Sequence, residues 1–414
     1  MRVTDIETHE ILAPFHDHDA DWLLRYQGLG LQMRTVYVVK TNLGLEGYGE
    51  SHGPAPEADL LAEYIGTDPF DWIAEPKYLW IGSAMYDLMG KFLGLPTWKL
   101  LGQKVRDWVP VAQWTVSQPP DAMAVEARHA ARLGYRWLKF HVDEMQNVID
   151  QTAAIQQVAP PGFKVHYDFN ADGDLEAVFP VLEELERFPV AARVEDPIRV
   201  KDHDGYRILR EKSKLSILIH HGSPEVMVDH LCDGYMAGHA SVGHALRVAA
   251  VAEATNTPFM LQQVGGTINQ AFLAHEAAVF KMATLDHVNL AHLWKEDVTT
   301  ETMPIVSGSV QVPKGPGLGV TLDRAKLEKH KSAPRRNVGR FLVRVKHADG
   351  LRVYFRYDPA MGINHLRHLH RTQSPGPVPA YANPIATDFW DDDDSHEFQR
   401  IWQQTESGPA GIPR

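Results

Sequence analysis

Cysteine is nearly absent: the 414-residue chain has one, Cys232. A single thiol excludes an intrachain disulfide and any multi-cysteine metal cage. With no cationic neighbour in sequence it is expected to be buried and inert. Long apolar runs are also missing, since none approaches the 18 or so residues of a membrane-spanning helix. The first residues, Met1 to His9, carry acids where an export signal needs an apolar stretch, so a soluble cytoplasmic chain is expected. There is no block of lysine or arginine: 41 basic against 53 acidic residues give a net charge of -12. That balance repels phosphate backbones, and neither nucleic acid nor a membrane is expected as a partner. The glycine-rich strand-turn-helix signature of a dinucleotide site is absent too; Gly28-Leu29-Gly30 and Gly265-Gly266 read as loop glycines. What is present, 44% hydrophobic and 23% charged residues, is the usage of a globular chain with a large core.

Three segments differ in rhythm. Residues 1–105 read as a small α+β unit, with Thr35–Thr41 and Leu45–Glu50 alternating around a turn at Asn42–Gly44. Tyr78–Gly94 carries Leu79, Ile81, Met85, Leu88, Met89 and Phe92 on a helical face that Gly94 and Pro96 stop. Across residues 106–331, short β-rich runs alternate with helical ones. The runs are 109–116, 137–142, 163–168, 191–195, 215–219, 234–237, 258–262 and a weaker one at 285–290. Eight strand-helix units fit a closed parallel barrel. The fold class is therefore α/β, a modified TIM barrel with an N-terminal α+β cap and an appended C-terminal extension, residues 332–414. In that extension, runs 341–347 and 351–357 flank the hairpin signal Asp349-Gly350. Prolines 375, 377, 379 and 384 follow, then Asp391–Asp394, which reads as a solvated turn. The aromatic residues of the extension need apolar cover, so packing is expected rather than a free tail.

Barrels place their chemistry at the C-terminal ends of strands. Those ends supply Lys139-Phe140-His141, Asp168-Phe169-Asn170, Glu195-Asp196 and His220-His221. A proton beside a carboxylate is very weakly acidic, and removing it takes a base and positive charge on the developing enediolate. Asp168 and Glu195 suit magnesium, and either Lys139 or His141 serves as base. Adjacent strand residues point to opposite sides, so one of His220 and His221 faces such a site. His239, His244, His275, His287 and His292 read as hydrogen-bonded surface or core histidines.

The order and spacing of these motifs resemble the enolase superfamily, mandelate racemase/muconate lactonizing subgroup, over residues 1 to about 327. The cap run Val36–Glu50, Lys139-Phe140-His141, Asp168-Phe169-Asn170, Val194–Pro197 and Val312–Gly319 carry the resemblance. It implies a magnesium site and acid-base chemistry on a small carboxylate, in a homo-oligomer. Asp168 matches the first metal-binding acid, with Asn170 as its companion, and Glu195 matches the second. Lys139 falls on the first lysine of a pair whose second lysine, the usual base, is replaced by His141. The third acid is missing, with His221 or Gly222 opposite its place, which weakens magnesium or favours manganese or another first-row ion. The usual aspartate-histidine pair of the opposite face falls near Tyr235 and Gln262. One competent face argues for elimination over racemisation. The loop with His16 and His18 reaches over the barrel mouth in such proteins, so His16, His18, Asn170 and Gln262 are expected at the substrate. The expectation is a metal-dependent acid-sugar dehydratase. The alternative is a catalytically silent small-carboxylate-binding or structural member of the same fold.

Overall fold

The computed structural model describes residues 1–27, 29–142, 147–171, 173–347, 350–357 and 385–412. Strands β1 (Val3–Ile11), β2 (Arg34–Thr41) and β3 (Glu46–His52) form an antiparallel sheet in the order β1-β2-β3. The helix Leu79–Leu93 lies on β3 and buries Ile81, Met85, Leu88 and Met89. The approach is so close that a Cβ on Gly49 would sit 1.9 Å from the Trp80 carbonyl oxygen. Phe92, the last of the apolar set, is about half exposed and meets Phe70 edge to face.

The eight expected barrel strands form. They are β4 (Trp108–Thr115), β5 (Trp137–His141), β6 (Lys164–Asp168), β7 (Ala191–Glu195), β8 (Ser216–Ile219), β9 (Gly234–Gly238), β10 (Phe259–Gln262) and β11 (His287–Val288). All pair in parallel with their sequence neighbours. The weak eighth run is only two residues long, yet it closes the ring through His287 opposite Val111 and Val288 opposite Ala112. Alternation along the strands divides the residues. Leu138, Phe140, Val165, Val194 and Ile217 join the helices in the outer core. Ala112, Leu218, Met236, Met260 and Val288 fill the barrel interior. Below this apolar layer Arg193 pairs with Asp286 at 2.9 Å and covers the Trp137 ring.

Strand β12 (Ser309–Gln311), which the sequence pattern did not indicate, runs antiparallel beside β4. The helix Arg324–Lys331 then returns to the cap, where Leu327 joins Ile11 and Val36 and the Leu12 amide donates to the His330 carbonyl. A buried ion triad ties cap to barrel. Arg34 bonds Glu50 and, at 3.0 Å, Asp297, while the Gly266 amide donates to Glu50 at 2.8 Å.

The extension contributes a second antiparallel sheet. Strands β13 (Phe341–His347), β14 (Arg352–Arg356), β15 (Ile385–Asp391) and β16 (Ala410–Ile412) lie in the order β15-β13-β14-β16. The expected hairpin is β13 with β14; Asp349 and the four prolines lie outside the described residues, as does Gly28. Phe398 and Ile401 of the helix His396–Gln404 pack on Leu342 and Tyr354. The other side meets the cap helix Ala20–Gln27 through Phe389 against Tyr26 and Arg25 against Asp391. The aspartate run forms the turn into the last helix, with Asp392 paired to Arg340 and Asp393 accepting the Ser395 amide. Cys232 is buried, and burial pushes its thiol up to about 12. Among the described residues no helix is long and apolar enough to cross a membrane.

Candidate active site

The ends of β5, β6 and β7 lie level, with His141 opposite Asp168 and Asp168 opposite Glu195. Inward-facing residues of neighbouring strands therefore form one polar layer above the apolar interior. Its centre is Lys139, fully buried. The Lys139 Nζ lies 2.8 Å from Glu195 Oε2, 3.2 Å from Asp168 Oδ2 and 2.9 Å from Gln262 Oε1. His141 Nε2 lies 3.2 Å from Asp168 Oδ2. Asn170, at φ 58°, turns back on its own strand: its amide N–H donates to Asp168 Oδ1 and its side chain to the Asp168 carbonyl, both at 3.0 Å. It orients Asp168.

Two histidines surround Glu195, one of them, His166, passed over by the motif reading. His166 Nε2 is 2.9 Å from Oε2, and His220 Nδ1 is 3.3 Å from Oε1. His166 stands two residues before Asp168, so strand alternation alone puts it on the same face. His220, rather than the expected His221, faces Glu195. The reason is Asp196, fully buried at φ 45°, which accepts the amides of both residues at 2.9 and 3.1 Å and also the His221 ring. His221 is consequently half exposed. Room for the His220 ring comes from Gly238, where a Cβ would sit 2.0 Å from His220 Nε2.

The charges of this layer settle each other. Burial opposes the Lys139 ammonium, but Asp168 and Glu195 outweigh it and raise its pKa, so this lysine stays charged. Burial would raise Asp168; Lys139 and His141 overcome it and hold the carboxyl well below the usual range. Burial and Asp168 push Glu195 up, and Lys139, His166 and His220 together bring it down. Burial keeps His166 low. Two ionised, buried carboxylates and an imidazole are therefore available to a cation. Glu195 Oε2 has no well-directed hydrogen bond despite its near neighbours. Hard ions prefer oxygen, and His220 supplies nitrogen where a third oxygen was sought, so this donor set fits a borderline first-row ion better than magnesium. Among the described residues, donor atoms gather within 4.8 Å of one another in two groups, Asp196-His220-His221 and His18-Asp19-Glu126; Asp168 and Glu195 are in neither, their oxygens being spread around Lys139.

Over this layer opens a cavity of about 470 Å³ lined by His141, Gln262, Trp114, His52, His239 and Leu31, among others. His239, read from sequence as an ordinary core or surface histidine, lines it at φ 49° with its ring 5.2 Å from that of His52. Burial and the neighbouring positive charges push His239 down to about 3, so it is neutral. No spacing pattern signals His52 and His239, which come from the cap and from the end of β9. His275, His287 and His292 hydrogen-bond to backbone, as expected. His16 and His18 are elsewhere. They stand beside His129 and Glu126 on the outer wall of the barrel and do not line the cavity.

Residues 122–326 match the family model described as enolase C-terminal domain-like. Among curated relatives, a D-gluconate dehydratase from Thermoproteus tenax is 24% identical over 319 residues, 66% of this chain and 63% of that protein. A D-galactonate dehydratase from Xanthomonas oryzae pv. oryzae is 27% identical over 354 residues, 72% of this chain and 90% of that protein. Among solved structures, a muconate lactonizing enzyme from Pseudomonas putida superposes with a TM-score of 0.66 at 22% identity, over 80% of this chain and 99% of that one. Residues 122–326 therefore carry the enolase C-terminal-like domain, and cap and barrel together have the fold seen in the muconate lactonizing enzyme.

Proposed function

We propose that the protein is an acid-sugar dehydratase, a lyase that removes the α-proton of a polyhydroxy carboxylate and expels the β-hydroxyl as water. The observation that carries this reading is the one-sided arrangement of the cavity: His141 on one wall and an amide, Gln262, where an opposing base would stand. The similarity to gluconate and galactonate dehydratases supports the substrate class. A lysine held as an ammonium between two carboxylates cannot accept a proton, and His239, held down to about 3, is too weak a base, so the base is assigned to His141, which stands beside Asp168 on the cavity wall. Asp168, 3.2 Å from His141 Nε2, fixes the direction of the ring. His141 takes the α-proton, the electron pair of the C–H bond becomes the new C=C bond, and the β-hydroxyl leaves with the proton that His141 returns. The enol so formed converts to the 2-keto acid. Neutral His239 and His52 offer hydrogen bonds to substrate hydroxyls without burying further charge.

Asp168, Glu195 and His220 would hold a divalent ion, manganese or a similar metal before magnesium, with His221 steadied by Asp196 behind them. When bound, it places positive charge beside the substrate carboxylate. Cytoplasmic location and homo-oligomeric assembly belong to the same reading. The test is a screen of acid sugars with added manganese or magnesium, with solvent deuterium exchange at the α-carbon followed by NMR. Turnover that falls at least a hundredfold in His141→Ala supports the assignment. Saturable binding with neither turnover nor exchange for any compound would replace it by a silent carboxylate-binding protein, and rapid racemisation would refute the one-sided site.

A further inference from the structure

Outside the barrel wall, where Gln113 of β4 meets Glu126, a second cluster of metal-ligating groups joins the cap to the first barrel helix, Pro120–Arg132. Two carboxylates are buried here side by side, Asp19 with 2% and Glu126 with 1% of their surface exposed. Among the described residues neither forms an ion pair with a lysine or arginine; the only charged partner each meets is His18. His18 Nε2 lies 3.2 Å from Glu126 Oε2 and 3.8 Å from Asp19 Oδ2. Three further observations are independent of those distances. Asp19 Oδ1, Glu126 Oε2, His18 Nε2 and His129 Nε2 are all buried without a hydrogen-bond partner. Glu126 and His129 stand three residues apart on one helix and so share a face, a spacing that recurs in metal sites of helical proteins. The other oxygen of Glu126 accepts the side-chain amide of Gln113, the outer contact that orients a metal-ligating carboxylate.

Buried carboxylates with unpartnered oxygens are costly unless a cation meets them. Bonds of about 2.0 to 2.2 Å to nitrogen and oxygen give a tetrahedron whose edge is roughly 3.4 Å. The separations around His18 Nε2 bracket that edge. We propose that His18, Asp19, Glu126 and His129 form a structural site for a zinc-class divalent ion, distinct from the cation site at the barrel mouth. The donor atoms of His18, Asp19 and Glu126 lie within 4.8 Å of one another, and His129, whose ring is centred 4.3 Å from that of His18, supplies the second nitrogen on turning toward them. An ion here fastens the 15–19 loop to the barrel. That loop is already drawn in by the Phe15–Trp294 bridge and the His16 amide on the Leu293 carbonyl, and it leads to Leu31 at the cavity wall.

The test strips the whole chain with a chelator and titrates it with cobalt, reading the visible absorption of a tetrahedral centre, and with zinc, reading bound metal by elemental analysis. The expected result is one tetrahedral cobalt site in the unaltered protein and in Asp168→Asn. Its affinity falls at least tenfold in His18→Ala and Glu126→Gln, and zinc raises the thermal midpoint of the unaltered protein but not of Glu126→Gln. His129→Gln, at a half-buried position, stands in if either variant fails to fold, and it should lose the tetrahedral spectrum as well. A folded His18→Ala or His129→Gln that keeps the cobalt spectrum and zinc affinity would overturn the proposal, as would the absence of any tetrahedral band in the unaltered protein.

Discussion

Glu276, in the middle of the helix Thr267–Val279, is a fully buried carboxyl that accepts a hydrogen bond from the side-chain amide of Gln263. Burial pushes it up to about 8, far above its ordinary 4.5. A carboxyl raised on folding contributes stability that is fully present below its unfolded value and is lost as pH rises through the folded one. The window here is therefore about pH 4.5 to 8, and at about 1.36 kcal/mol per unit the loss across it is of the order of several kcal/mol. Glu276→Gln, which cannot ionise, should be flatter with pH, and its stability relative to the unaltered protein should grow as pH rises. Urea unfolding at pH 5, 6.5 and 8 checks this; parallel curves would exclude an ionising Glu276. The same scale explains why His220 and His221 were hard to separate by pattern. Adjacent residues at a strand end face opposite ways, but which one faces inward depends on Asp196 and on the empty space above Gly238, both contributed by other strands.

At the scale of elements, amphipathic period and stop signals act locally, so strands β4 to β10 lie within a residue or two of their expected bounds. Strand β11 is shorter than its run because only His287 and Val288 find parallel partners, both on β4 and Val288 alone on β10, and β12 has no isolated signal because β4 supplies the pairing that makes it a strand. The last helix of the extension is capped by Ser395, whose hydroxyl accepts the Phe398 amide at 3.0 Å. Replacing such a cap by alanine costs about 1 kcal/mol. Ser395→Ala should accordingly speed hydrogen exchange of residues 396–404 several-fold and leave the barrel helices unchanged. Equal acceleration in the barrel would mean that extension and barrel unfold as one unit.

The whole molecule depends on the joint between cap and barrel, because the cavity has walls from both. Its polar anchor is Arg34, fully buried between Glu50 and Asp297 and stacked over Trp294 at 4.0 Å. Burial opposes this guanidinium, and the two acids outweigh it. Removing one partner of a buried ion pair leaves an uncompensated charge and typically costs about 3 to 5 kcal/mol. Arg34→Met should therefore lower stability to urea by that order and expose the cap to protease before the barrel. A change below about 1 kcal/mol would show that apolar packing alone holds the two together.

Hydrophobic period, turn residues and strand-end chemistry lie in consecutive stretches of chain, and for that reason the cap, the eight-stranded barrel, the hairpin and the acids Asp168 and Glu195 were legible in the order of residues. Convergence is different. That Lys139 lies locked between two carboxylates, that His166 and His220 flank Glu195, and that His52 and His239 share a cavity wall are relations between residues 25 to 187 positions apart. The loop of His16 and His18 shows the same division most sharply. Its histidines were visible as a cluster in the sequence, but only the packing of that loop against the outer barrel helix decided that they meet Glu126 and His129 rather than the cavity, since side-chain direction is set by which surface the loop buries.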